Sequence, residues 1–279
     1  MSHKISRRTF VKSIAAGLSV VALGGLSACD GAGSDGGTKL TIAASPAPHA
    51  KILSEFAAPK LKEQGIELVV REYTEYILPN KDTTSGEVDA NYFQHVNYLD
   101  NYNLENGTDL VSVAPIHYEP MAVYAGKSSD LSAISEGATI AIPSDPTNEG
   151  RALLLLQDEG LIELKDKKNL EATPNDIAEN PHGIVFQELE AAALPRALDS
   201  VDFAVINGNY AIEAGKHVSD SLAHEEVGSR AVEQYANVIC VAAGNEDDAS
   251  IKALVDVLHT DEFKAFLKDT YGEDVLPAF

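Results

Sequence analysis

The sequence predicts an α/β protein of two lobes with a ligand cleft between them. Short apolar runs alternate with amphipathic stretches from Lys39 onward, and a second series of the same kind begins after residues 118–126. The last apolar run, 238–243, is followed by two helical stretches long enough to return to the first lobe. With 279 residues, 44% of them hydrophobic and 23% charged, the chain can bury the core of one large or two small lobes.

Residues 1–28 read as a leader. They start basic, continue in an apolar run of about 14 residues over 13–26, and end in small residues before Cys29. The run is too short to cross ~30 Å of hydrocarbon as a helix. Within it Ser6-Arg7-Arg8-Thr9-Phe10-Val11-Lys12 resembles a twin-arginine export signal, and Leu26-Ser27-Ala28-Cys29 resembles a lipobox, whose cysteine becomes the lipid-modified first residue. An uncleaved apolar terminus is the plainer alternative. Residues 29–37 then form a lipid-anchored tether: four glycines and no side chain larger than alanine among the apolar ones leave nothing to pack.

The formal charge is −22; four of the 21 basic residues lie in the leader, which has no acid, so the rest carries 17 bases against 43 acids, or −26. Nucleic acid is a poor partner for that field. Once Cys29 is lipidated, Cys240 has no disulfide partner, and its apolar neighbours make it a buried small hydrophobe.

Strands are expected at 39–44, 66–72, 86–93 and 110–116, with helical segments at 48–65 and 95–107. The second series gives a strand at 138–143, a helix from Pro146 to about Gly160, a strand at 182–190, a short helix at 193–199 and a strand at 201–207. Such alternation favours largely parallel sheets. Residues 38–117 with 238–279 would form one lobe, and 118–237 the other.

Ligands of open α/β sheets collect beyond the carboxyl ends of strands, and two lobes can face those ends across a cleft. The polar and aromatic residues there are Tyr92, Phe93, Gln94 and His95, the stretch Ser144 to Arg151, Asn207, and Tyr235 to Asn237. Asn207 can equally cap a helix, Asn237 can close a turn, and Phe93 with Tyr98 can be ordinary core. Arg151 falls in the amino-terminal part of its helix, where the macrodipole disfavours a cation, so it calls for a negative partner. That partner is either an acid such as Glu149, or an external carboxylate received with Thr147 and Asn148, which share its face.

Residues 76–100, 142–166, 188–208 and 235–239 closely resemble the methionine-binding lipoproteins of bacterial ABC importers, the NlpA family. The likeness runs from about Lys39 to the end. It implies a periplasmic-binding-protein fold, type II-like, with its two lobes joined by crossover strands and one amino acid held between them. Carried over by position, the family's ligand-binding residues fall on Tyr76, Phe93, His95, Tyr98, Asn148, Arg151, Asn207 and Asn237. The resemblance implies that Arg151 meets the α-carboxylate, that Asn207 and Asn237 offer amide oxygens to the α-ammonium, and that Tyr76, Phe93, His95 and Tyr98 enclose the thioether. Two local departures are Ala236, where many relatives have valine, and the stretch His117 to Met121 before the crossover. The implied partners are methionine, L or D, the importer's membrane subunits with their ATPase, and the membrane through the lipid at Cys29. No cofactor is implied.

An enzyme is disfavoured by the lack of GxSxG, HExxH or a reactive-cysteine setting. The alternatives are a metal-ion-binding lipoprotein of a different ABC importer, using His49, His95, His117 or His182 with a carboxylate, and a binder of a methionine-containing dipeptide. No His pair close in sequence supports the metal reading.

Overall fold

The computed structural model describes residues 37–226 and 234–279; the leader, Cys29 and nearly all of the tether lie outside the described residues. Strands β1 (Thr38–Ala44), β2 (Ile66–Glu72), β3 (Ala90–His95) and β4 (Leu110–Tyr118) belong to a first sheet. A second is built from β5 (Ala122–Ala125), β6 (Thr139–Pro143), β9 (Val185–Leu189), β10 (Phe203–Ile206) and β11 (Ala223–His224), after a small hairpin of β7 (Glu163–Leu164) and β8 (Ile177–Glu179) has intervened. The chain then returns to the first sheet as β12 (Asn237–Ala242) and β13 (Leu276–Pro277). The spatial orders are β13-β4-β12-β3-β1-β2 and β11-β5-β10-β6-β9.

The sheets are mixed, where largely parallel ones were expected. β1 pairs in parallel with β2 and β3, and β6 with β9 and β10, but β12 runs antiparallel to both β3 and β4, and β5 antiparallel to β10. The reversed strands are those at the crossovers. β4 leads through Glu119, Pro120 and Met121 straight into β5, and β12 re-enters the first sheet from the second, so each arrives from the opposite direction to the βαβ strands beside it.

Burial follows the period expected of each element. Ile52, Leu53, Phe56 and Leu61 line the inner side of a helical stretch, π-wound over Ile52–Ala57 and α-helical over Ala58–Glu63, and join the core under the first sheet. The helices Ala249–Leu258 and Asp261–Tyr271 are capped by Asp248 and Thr260 side chains and complete that core with Ile251, Leu254, Phe263 and Leu267. The expected strand at 86–93 starts late: Gly86, in the left-handed conformation, ends the preceding helix, and at Asp89 the side-chain carboxylate accepts from the Thr41 amide at 2.7 Å while the Asp89 amide donates to the Thr41 carbonyl at 2.9 Å, so the strand itself begins at Ala90.

The helix Pro146–Asp158 sets the second wall of the cleft. Pro146 is its first residue, and Asp145 caps it by accepting from the Asn148 amide. Leu153, Leu155 and Leu156 serve the core, while Gly150 lies so close to the neighbouring chain that a Cβ would meet the Leu170 carbonyl oxygen at 2.2 Å. The glycine therefore fixes the height of the helix that carries Asn148 and Arg151.

Candidate functional site

A small cavity lies between the sheets. All eight residues named above line it, together with Gln94, Glu119, Gly208 and Asn209. One end is aromatic. Tyr76, at the amino terminus of the helix Ile77–Ser85, has its ring centroid 5.7 Å from those of both Phe93 and Tyr98, and Phe93 and Tyr98 are 5.9 Å apart. Phe93 and Tyr98 come from the end of β3 and the helix that follows, and with Tyr76 they pack on one another around the cavity.

His95 links the two walls. It caps the helix Val96–Asn106, its Nδ1 accepting from the Tyr98 amide at 3.1 Å. A backbone N–H can only donate, so Nδ1 is unprotonated and Nε2 carries the hydrogen, which it gives to Asn148 Oδ1 across the cleft at 3.2 Å. Burial, followed by the charge of Arg151, lowers its pKa to about 3, which keeps the ring neutral. Tyr76 makes a second link, donating to Asn209 Oδ1 at 2.6 Å.

The asparagines are arranged by these bonds. Asn148 donates its amide hydrogen to Asp145 Oδ1 at 2.8 Å and accepts from Asn207 Nδ2 at 2.7 Å. Asn207 stands at the N-cap position of the helix Gly208–Glu213, yet its side chain makes no capping bond, and its Oδ1 is buried without a partner among the described residues. Asn209 Nδ2 is likewise unpartnered. A buried acceptor and a buried donor left open on one wall suit a polar ligand. Asn237 Oδ1 lies 3.0 Å from His49 Nε2, so this oxygen already has a donor.

Arg151 has a protein partner, and it is not Glu149. Its Nε and Nη2 grip the two oxygens of Glu225 at 2.8 and 2.5 Å, Nη2 also donates to the Glu119 carbonyl at 2.9 Å, and the guanidinium stacks 4.2 Å from the Tyr235 ring. Those bonds leave Nη1 as the nitrogen outside them. Of the two partners the sequence left open, an internal acid is present, Glu225 and not Glu149, while the side chain still lines the cavity. Thr147 is corrected, being turned away from the cavity with its hydroxyl 3.3 Å from Asp145 Oδ1. Glu149 is 6% exposed beside Glu188; burial, then that neighbour, pushes its pKa up to about 8.

Beneath the Arg151 side of the cavity lies a group of which the sequence offered the two histidines but neither the acid nor the convergence. His49, His117 and Glu119 converge with their ligating atoms within 4.8 Å of one another. His117 Nε2 is 2.6 Å from Glu119 Oε1, and His49 Nε2 is 3.4 Å from the same oxygen. Burial lowers the pKa of His49 to about 4 and of His117 to about 3. Of the histidines weighed as metal ligands, these two meet in space although far apart in sequence, whereas His95 is engaged with Asn148. The available signal was the position of Glu119, immediately before Pro120 on a crossover.

The model of the NlpA lipoprotein family matches residues 40–279. Membrane lipoprotein TpN32 of Treponema pallidum is 43% identical over 233 residues, covering 83% of this chain and 85% of that protein. The methionine-binding lipoprotein MetQ of Bacillus subtilis is 38% identical over 267 residues, 93% of this chain and 96% of its own. A nutrient-binding protein from Burkholderia cenocepacia, solved bound to methionine, superposes with a TM-score of 0.81 at 37% identity, covering 86% of this chain and all of that one. The fold is the two-lobed one of periplasmic substrate-binding proteins, and the chain belongs to the NlpA lipoprotein family.

Proposed function

We propose that this protein captures methionine, L or D, outside the cytoplasmic membrane and delivers it to the membrane subunits and ATPase of an ABC importer. The supporting observation is a buried cavity with two unlike ends: an aromatic one formed by Tyr76, Phe93 and Tyr98, and a polar one holding Arg151 with the open amide groups of Asn207 and Asn209. A thioether gains weakly from aromatic edges, about 0.3–1.5 kcal/mol per contact, and chiefly from leaving water. A charged ligand side chain would find no counterion at the aromatic end. The protein acts by binding and has no catalytic role in this reading.

Calorimetric titration of the purified protein with L- and D-methionine tests this. Saturable one-to-one binding of at least one enantiomer is expected, unchanged by EDTA. Heats no larger than dilution, from protein shown by mass spectrometry to carry no copurified ligand, would sink the reading.

The anchor belongs to the same proposal. Residues 1–28 are read as the signal removed on export, by the twin-arginine route, with Cys29 lipidated, 29–37 as the tether, and 38–117 with 238–279 and 118–237 as the lobes. Among the described residues no helix is long and apolar enough to cross a membrane. Stable attachment needs more than one acyl chain, which the family's modification supplies. Cys29→Ser is expected to move the protein from the membrane fraction to the soluble one, or to leave unprocessed precursor; unchanged lipid labelling would refute the assignment.

A further inference from the structure

One carboxylate at the cavity has no role in the reading above. Glu119 is 5% exposed, and its side chain reaches the cavity wall from the β4–β5 crossover. Its carboxylate pairs, among the described residues, with imidazoles and with no lysine or arginine. The Tyr92 hydroxyl bonds His117 Nδ1. With that hydroxyl as donor, Nδ1 accepts, and His117 gives its Nε2 hydrogen to Glu119 while staying neutral. Neutral imidazoles orient the carboxylate without cancelling its charge. Arg151 touches only the Glu119 backbone oxygen, and its own charge is met by Glu225.

The opposite side of Glu119 is shaped by a glycine. A Cβ on Gly208 would come within 2.6 Å of Glu119 Cβ and 3.0 Å of its Oε2. Only an unsubstituted residue lets the carboxylate sit against the wall next to Asn207, whose Oδ1 is the buried acceptor without a donor. The polar end therefore holds a cation bound by Glu225, a carboxylate with no lysine or arginine in contact with it among the described residues, and an open amide oxygen. The Arg151 Nη2 bond to the Glu119 carbonyl fixes cation and anion at neighbouring points, as an α-carboxylate and an α-ammonium on one carbon require.

We infer that Glu119 supplies the counter-charge for the ligand's α-ammonium, together with Asn207 Oδ1, and so makes the site select α-amino acids over acids of the same side chain that lack the amine. This deepens the methionine reading and depends on it. Removing a hydrogen bond to a charged group weakens binding by about tenfold or more.

The test is calorimetric titration of detergent-solubilised full-length protein with methionine and with 4-(methylthio)butanoate, its deaminated analogue. Wild type is expected to prefer methionine by at least about a hundredfold, since the analogue leaves the carboxylate unpaired. Glu119→Gln keeps the shape and is expected to weaken methionine at least about tenfold while leaving the analogue unchanged or tighter, so the preference collapses. Equal weakening of both ligands would reduce Glu119 to structural support and overturn the inference, as would unchanged methionine affinity. Should the variant fail to fold, the wild-type preference decides: less than about tenfold overturns the inference. Wild type that bound no methionine would instead remove the reading on which it stands. Zinc chloride that raised the melting temperature of wild type but not of His117→Gln would assign the cluster to a metal and overturn it as well.

Discussion

Arg151→Ala is expected to lose both stability and ligand affinity. The side chain is 4% exposed, and its partner Glu225 is nearly as buried, so the alanine variant leaves a carboxylate in the interior without its cation or the two bonds from Arg151, held among the described residues only by the Tyr118 hydroxyl and the Met121 amide. Breaking a buried pair from one side costs about 3–5 kcal/mol, which for a chain of this size lowers the melting temperature by roughly 10 °C. The same truncation removes the only arginine that lines the cavity among the described residues and frees the Glu119 carbonyl that Nη2 holds. Methionine affinity should fall by about a hundredfold, combining a lost charge-assisted bond with a displaced wall. Arg151→Lys keeps the charge but cannot grip two oxygens in one plane, so it should recover part of the stability and little of the affinity. Melting scans and calorimetric titrations on both variants check this. A fall in melting temperature with affinity intact would leave Arg151 as a structural partner of Glu225 alone; intact stability with lost affinity would mean that Glu225 withdraws when ligand is absent.

Why the sequence left the partner of Arg151 open, and did not point to Glu225, follows from what local patterns report. The positions of Pro146, Asp145 and Arg151 on one helix can be read from neighbours, because capping and the dipole act within a turn or two. Glu225 lies beyond five intervening strands, and no periodicity links it to residue 151. The same limit applies to His49, His117 and Glu119, which come from a helix start and a crossover that meet only in the folded chain. Apolar runs located most strands closely, since burial is what such runs encode, but they carry no direction. The antiparallel course of β12 and β5 is set by where the chain crosses between lobes. At Asn207 the pattern left capping and ligand contact open, and the structure separates them: the backbone takes the N-cap position while the side chain turns to Asn148.

Stability is expected to fall steeply between pH 6 and 5. His49, His95 and His117 are buried, and burial lowers their pKa values from 6.5 to about 4, 3 and 3. The groups facing them do not reverse this: Arg151 lowers His95 further, and Glu119 raises His49 only partly against burial. The unfolded chain takes up protons at these sites below pH 6.5 while the folded one refuses them, so stability rises with pH through this window and is lost as pH falls toward the folded values. Each histidine contributes about 1.4 kcal/mol per pH unit. Glu149 works in the opposite direction, because burial and Glu188 hold it protonated up to about 8, though solvent screening reduces its weight. Glu119, raised by burial, subtracts further as the pH approaches its own range. The net expectation is a loss of about 2–3 kcal/mol from pH 6 to pH 5, measured by urea unfolding of ligand-free protein. Glu149→Gln removes an opposing group and should steepen the fall. Equal unfolding free energies at the two pH values would mean that the folded protein protonates its histidines as readily as the open chain, and the neutral rings placed at His95 and His117 would have to be abandoned.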